Sequence, residues 1–472
     1  MAHLAWLLVQ TLNWLVLTYF VLLNLFYLGT SLFAFRALRR YSRRLKALDV
    51  EDLVASGGAP SITLIAPAYN EASTIVESVR SLLTLKYPEY DILVVNDGSR
   101  DATLARLQEA FELEPTVRAP TADIATMPVR ALYRSRRYPN LWVIDKENGG
   151  KADTLNAGLV HARTPLFCAM DADSLLEPEA LIRVVRPFLE DESTVAVGGI
   201  IRIVNGCRVR SGEVVDVRLP ESLLARFQVL EYLRAFLSGR MGWDALRATL
   251  IISGAFGIFR RDVVVDAGGF APGTVGEDLE LVVRLHRHCL ERGRPYRIAF
   301  VPDPVAWTEA PEDLRVLAGQ RDRWQRGLAE TLTRHRTMLL RARYGRIGLF
   351  AYPYFYFLEL MGPVIELLGY TSFLISVLLG WASASFVAAF LLVAFVFGTA
   401  LSTAAVGLEE LTFRRYPRTS DLLKLFWLAV AENFGYRQLV AFWRTRGIWS
   451  WLRRVEGWGE MTRTGFRERG GG

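Results

Sequence analysis

No Lys, Arg, Asp or Glu precedes Arg36. The apolar run 4–35 is longer than the roughly 20 residues a bilayer-spanning helix needs. It lacks the charged start, short apolar core and small-residue cleavage site of a secretory leader, so a retained helix is expected. Arg36, Arg39, Arg40, Arg43, Arg44 and Lys46 follow. Under the positive-inside rule they put the N-terminus outside and the next domain in the cytosol. A second apolar region covers 349–408, with no charge between Leu367 and Leu408. That is too long for one span and right for two, turned near Gly380 to Ser385, with a kink at Pro363 in the first. Arg414, Arg415 and Arg418 again mark the inside. Residues 422–443 mix apolar side chains with Lys424, Glu432 and Arg437. They suit an interfacial or re-entrant segment. The alternative is a fourth crossing whose Glu432 and Arg437 line a polar pore.

Hydrophobic residues are 51% of the 472, so a soluble part must coexist with the membrane part. The net charge of +7 is modest. A basic cluster beside an apolar run reads as a membrane flank, and no nucleic-acid partner is expected. Cys168, Cys207 and Cys289 are odd in number and far apart, which fits a reducing compartment and no disulfide framework. His286 and His288 read as surface or packing residues.

The chain thus divides into a membrane helix (1–35), a basic cytosolic linker (36–60), a soluble domain (61–336), an interfacial linker (337–348), two membrane helices (349–408) and a basic segment (409–472). In the soluble domain, short apolar strands at 61–66, 91–95, 141–144 and 166–170 alternate with helical spacing at 73–83, 101–111 and 153–162. The alternation predicts an α/β fold with a mostly parallel sheet and helices on both faces. Residues 112–139 show weak periodicity and read as a loop. Polar groups follow each strand, at the edge where open α/β sheets bind ligands.

Four acidic or polar clusters stand there. Asn70-Glu71 and Asn96-Asp97-Gly98-Ser99 follow the first two strands. Their carboxylates can accept hydrogen bonds from a base or ribose, although capping of the next helices explains part of the pattern. Asp171-Ala172-Asp173 follows the buried strand 166–170. Two acids so close repel unless a cation lies between them, and hard oxygens suit Mg²⁺ or Mn²⁺ completed by substrate phosphates. Such a pair alone is often only a turn. Gly276-Glu277-Asp278 opens an amphipathic helix, where acids favour the dipole; the functional reading is a general base for an acceptor hydroxyl. Gly149-Gly150-Lys151 precedes another helix and can approach phosphate, without the spacing of a Walker motif. Gln320, Arg323 and Trp324 join an amide, a guanidinium and an indole. They suit diphosphate and sugar contacts, or an interfacial Trp-Arg belt.

In this order the pieces resemble the processive family 2 glycosyltransferases, among them cellulose, hyaluronan, chitin and poly-β-1,6-N-acetylglucosamine synthases. The resemblance implies a GT-A fold and an inverting transfer from a UDP-sugar, UDP-glucose or UDP-N-acetylglucosamine, to a growing glycan. Polymer export through the chain's own membrane helices is implied, with a multi-pass chain in the inner or plasma membrane, a cytoplasmic catalytic domain and accessory secretion subunits. By residue it implies that Asp97 contacts uracil, that Asp171 serves the ribose or diphosphate, and that Asp173 ligates the metal. Lys151 would lie near the diphosphate and Asp278 would be the base, with Glu277 beside it. Ser253 and Gly254 would line the acceptor site; Gln320, Arg323 and Trp324 would bind diphosphate and acceptor sugar. Gly276 and Asn96 depart from the commoner motif residues without removing a group the mechanism needs. No carboxy-terminal cyclic-dinucleotide domain is expected. The rivals are a non-processive enzyme acting on a lipid acceptor and an inactive membrane scaffold or receptor.

Overall fold

The computed structural model describes residues 2–45, 57–210, 212–413, 415–416 and 418–455. Lys46, Arg414 and most of the tail, used above for topology, lie outside the described residues. The chain forms two compact units that alternate along it. One is built from the chain up to Arg39, from Leu219–Ala245 and from Pro311 to the last described residue; the other from Arg40–Arg218 and Leu246–Ala310. The segment Leu219–Ala245 and the helix Leu314–Arg334 therefore group with the first unit.

The second unit holds a ten-stranded mixed sheet. Its strands are β1 (Ile62–Ala68), β2 (Tyr90–Asp97), β3 (Leu113–Thr116), β4 (Val129–Ser135), β5 (Leu141–Lys146), β6 (Leu166–Met170), β7 (Leu175–Leu176), β8 (Thr194–Ile203), then after the small hairpin β9 (Arg208–Arg210) and β10 (Glu213–Asp216), β11 (Phe256–Arg260) and β12 (Arg297–Thr308). The order is β3-β4-β5-β2-β1-β6-β11-β8-β12-β7. Only β4, β11 and β7 run against the rest. The prediction of a mostly parallel sheet stands, but 112–139 is not merely a loop, because it contains β3 and β4. β3 is the edge strand and β4 lies just inside it, and both have half-exposed faces, so they lack the strong apolar alternation that marks a strand. Pro67 sits near the end of β1, beyond the last pairing to β6 at Ile65, where its missing N–H costs that ladder nothing.

Successive strands β1 and β2 lie on one side and β6 returns on the other, so the sheet has its crevice at the carboxyl ends of β1, β2 and β6. One face is covered by two helices, Lys151–His161 and Glu277–Glu291. Leu155 and Leu159 of the first and Leu281, Val282 and Leu285 of the second share a buried cluster with Ile65, Leu93, Val95 and Phe167. Gly158 lets the first helix lie close on β1, because a Cβ there would overlap Ile65.

In the first unit, the described residues include two helices long and apolar enough to cross a membrane, His3–Arg43 and Ala384–Thr412. The pair Ile347–Leu360 and Gly362–Leu378 gives a third if it forms one span; it bends by 42° at the predicted Gly362-Pro363 position. The turn at Gly380 adopts φ +67°, which glycine accommodates without strain. Asn13 donates to Ser376 at 2.6 Å and accepts from Ser372 at 2.6 Å, and Gly369 lies against Val16. Small residues and interhelical hydrogen bonds of this kind hold helices together in lipid. Residues 422–443 fall in two helices, Thr419–Ala431 and Tyr436–Leu452, neither of which passes the same length-and-apolarity test. Glu432, at the break between them, is fully buried and pairs with Arg234 at 2.6 Å and Arg437 at 2.8 Å.

Candidate active site

Both helices on the shared sheet face begin at the carboxyl edge, so their first residues converge. Lys151 Nζ lies 2.6 Å from Asp171 Oδ1 and 2.9 Å from Glu277 Oε1. Asp278 beside it is held by two backbone donors: Gly254 N–H at 2.7 Å to Oδ2 and Leu279 N–H at 2.8 Å to Oδ1. A Cβ on Gly254 would stand 3.0 Å from Lys151 Nζ and 3.1 Å from Asp278 Oδ2, so glycine keeps this space open. Lys151, Ser253, Gly254, Glu277 and Asp278 line one pocket whose floor includes Phe259 and Phe270.

The electrostatics follow from burial. Desolvation lowers the Lys151 pKa, but Asp171, Glu277 and Asp278 together outweigh it and hold the lysine above its usual value. Desolvation pushes Glu277 up to about 7, with Asp278 adding to the rise and Lys151 opposing it. Glu277 therefore binds a proton in the folded chain at pH values where the unfolded chain has lost it. Its stabilisation is full below the unfolded carboxylate range near 4.5 and fades as pH rises to about 7. Glu277→Gln removes that component. Thermal denaturation between pH 5 and 7.5 is expected to show a shallower decline in the variant than in the parent chain; parallel profiles would contradict this.

Asp171 and Asp173 stand on the turn after β6, closed by the Ser174 N–H to Asp171 carbonyl bond at 3.1 Å. Asp171 is half-buried and Asp173 buried. Among the described residues, no group of three or more His, Cys, Asp or Glu is arranged to hold a metal. The two hard carboxylates fit a cation that takes its remaining ligands from a diphosphate.

Asp97, at the end of β2, faces the turn before Lys151. Its Oδ1 accepts from Gly149 N–H at 2.9 Å and its Oδ2 from Gly150 N–H at 2.8 Å. Asn70 and Glu71 lie in the loop after β1. Asn70 Oδ1 accepts from Arg100 N–H at 2.9 Å, and the Asn70 N–H donates to Ser99 Oγ at 3.0 Å. Glu71 accepts from Thr74 Oγ1 at 2.9 Å. The Asn70 bonds, with the Glu71 N–H donating to Thr103 Oγ1 at 2.9 Å, lash the first and second strand-end loops together. Asp101, one residue ahead of the N-cap Ala102, accepts from the Thr103 N–H at 3.0 Å.

Gln320, Arg323 and Trp324 lie on the helix Leu314–Arg334 of the other unit. Gln320 is buried and Trp324 is 49% exposed. Arg321 lies 4.2 Å over the Trp324 ring and pairs with Glu231 at 2.8 Å, which fixes the indole from one side.

A model described as "Glycosyl transferase family 2" matches residues 63–264. A second, "Glycosyl transferase family group 2", matches 166–401, which is 236 residues and half of the chain. The chain belongs to glycosyl transferase family 2. This family 2 chain is 28% identical over 322 residues to the poly-β-1,6-N-acetyl-D-glucosamine synthase of Staphylococcus aureus strain COL. It is 26% identical over 320 residues to that of Staphylococcus epidermidis. Each match covers 68% of this chain and 66% of the relative, so the chain spans just under two thirds of their length. The solved mannosyltransferase PcManGT from Pyrobaculum calidifontis, in complex with GDP-Man and Mn²⁺, is similar in fold. Its TM-score is 0.51 at 19% identity, over 90% of this chain and 99% of that one.

Three residues of this family 2 chain to which sequence reasoning gave no role build the site from behind. Lys146 and Asp153 pair beneath the Gly149–Gly150 turn at 2.6 Å. Asn156 donates to the Phe270 carbonyl at 2.8 Å and accepts from its N–H at 2.7 Å, tying the Lys151 helix to the loop that leads to Glu277. Two charged residues, Asp145 and Lys146, closing the apolar run 141–144 were the available signal.

Proposed function

We propose that this chain transfers sugar from a UDP-sugar to a growing glycan, inverting the anomeric carbon, and extends a β-linked polysaccharide that leaves through its membrane helices. The observation that carries the reading is the meeting of Lys151, Asp171, Glu277 and Asp278 at one strand edge, with Asp278 aimed by two backbone N–H groups. The relatives favour N-acetylglucosamine over glucose as the sugar. Asp278 takes the proton of the acceptor hydroxyl as its oxygen forms the bond to the anomeric carbon. The bond from that carbon to the donor's phosphate oxygen breaks, and UDP leaves. Lys151 meets the charge that develops on the diphosphate. Glu277 holds Lys151 in place. Asp171 and Asp173 would hold Mg²⁺ or Mn²⁺, which when bound neutralises diphosphate charge. Asp97, Asn70 and Glu71 shape the nucleotide side, Ser253 and Gly254 the acceptor side. Gln320 and Arg323 serve the diphosphate, and Trp324 stacks on the terminal acceptor sugar. The catalytic unit faces the cytoplasm from a multi-pass chain in the plasma or inner membrane, with accessory secretion subunits as partners.

The test is incubation of the purified full chain with separate UDP-sugars, reading UDP release and product length by mass spectrometry. A long β-linked product supports polymerisation. A single added sugar supports the lipid-acceptor rival, and no UDP release supports the scaffold. Asp173→Ala is expected to abolish the metal-dependent part of UDP release; release that still responds to added Mg²⁺ or Mn²⁺ would remove Asp173 from the cation site.

A further inference from the structure

The turn ahead of Lys151 rests on a buried charge cluster in which Lys146 and Asp153 have no part in the transfer step. Lys146 closes β5 and its side chain is wholly buried. Its ammonium lies 2.6 Å from each of three oxygens: Asp97 Oδ1, Asp153 Oδ2 and the Glu147 carbonyl. It donates to Asp97 Oδ1 and to the Glu147 carbonyl, and stands against Asp153 Oδ2 as an ion pair. Asp97 has both carboxylate oxygens filled. Its Oδ1 takes Lys146 and the Gly149 N–H; its Oδ2 takes the Gly150 N–H and Asn148 Nδ2 at 3.1 Å. Asp153 Oδ1 accepts from the Met127 N–H at 3.0 Å. Gly149 lies so close over Asp153 that a Cβ would overlap its carboxylate, and Gly150 has φ +82°. One cation thus faces two anions, and the residual negative charge meets the N–H groups of the turn and the amino end of the helix Lys151–His161.

We propose that Lys146 is a positioning residue for donor binding: by neutralising Asp97 and Asp153 together it locks the Gly149–Gly150 turn and sets where Lys151 meets the diphosphate. The inference rests on the transfer reaction proposed above. It also assigns Asp97 an indirect role, because all of its acceptor positions are filled by the protein and it serves the nucleotide through the turn.

Lys146→Met leaves two buried carboxylates facing each other without their cation. The Kd for UDP and the KM for the donor are expected to rise about tenfold or more, since small misplacements of a binding group carry losses of this order. The KM for acceptor stays unchanged, which general loss of fold would not produce. Lys146→Met/Asp153→Asn removes the imbalance and is expected to return UDP affinity to within about threefold of the parent, the mark of coupled neighbours. A Lys146→Met chain that binds UDP as the parent does overturns the inference. So does a folded, monodisperse double variant that binds as weakly as the single one. If the single variant cannot be purified, the double variant decides: affinity near the parent's supports the inference, and tenfold loss or failure to fold overturns it. A parent chain that neither binds nor releases UDP removes the transferase reading and this inference with it, an outcome distinct from any difference among variants.

Discussion

Asp278→Asn is expected to slow sugar transfer by about 10²–10⁴-fold, the range a positioned general base supplies, while UDP binds as before. The substitution keeps the shape of the side chain. One oxygen still accepts from the backbone, so either the Gly254 or the Leu279 hydrogen bond survives. The lost group is the second carboxylate oxygen, the one that would receive the acceptor's proton. Donor affinity depends on Lys151 and the Asp171–Asp173 turn, which this change leaves in place. Kd for UDP and single-turnover rates, taken on the same preparation, separate the two effects. Equal turnover would reassign the base. Loss of UDP binding in step with turnover would make Asp278 a structural residue.

Lys151→Met is expected to lower kcat by about 10²–10³-fold, comparable to removing one preorganised donor from an oxyanion site. Two physical changes combine here. The leaving diphosphate loses a cation, and Asp171, Glu277 and Asp278 lose the charge that lets them stand together. Without it one of the acids must take up a proton. The pH optimum of the residual activity should therefore move relative to the parent. A pH–rate profile identical in position and height to the parent's would exclude Lys151 from the site.

Most of the site's framework was legible because it obeys local rules. An apolar strand that ends in Asp97 or in Asp171 states its own direction, and the helices that follow bring their first residues to the same edge. The apolar runs, their breaks at Pro363 and Gly380 and the charges around them were readable for the same reason. What stayed hidden depends on distance along the chain. β4 is a half-exposed antiparallel strand next to the sheet edge and carries no periodic signature. Lys146 reads as a solvated strand end until Asp97, 49 residues earlier, is seen to fold over it. Asn156 gains its meaning only from Phe270, 114 residues later. Glu432 and Arg437 were noted as interruptions, but their partner Arg234 lies in a segment that sequence reading assigned to the soluble domain.

The most direct test is a cryo-EM structure of the full-length Asp278→Asn chain trapped with UDP-N-acetylglucosamine and Mn²⁺. The account places the donor's diphosphate within about 3 Å of Lys151 Nζ, against the Asp171–Asp173 turn, with the anomeric carbon facing residue 278. A donor bound elsewhere, with Lys151 still bridging Asp171 and Glu277, would contradict it.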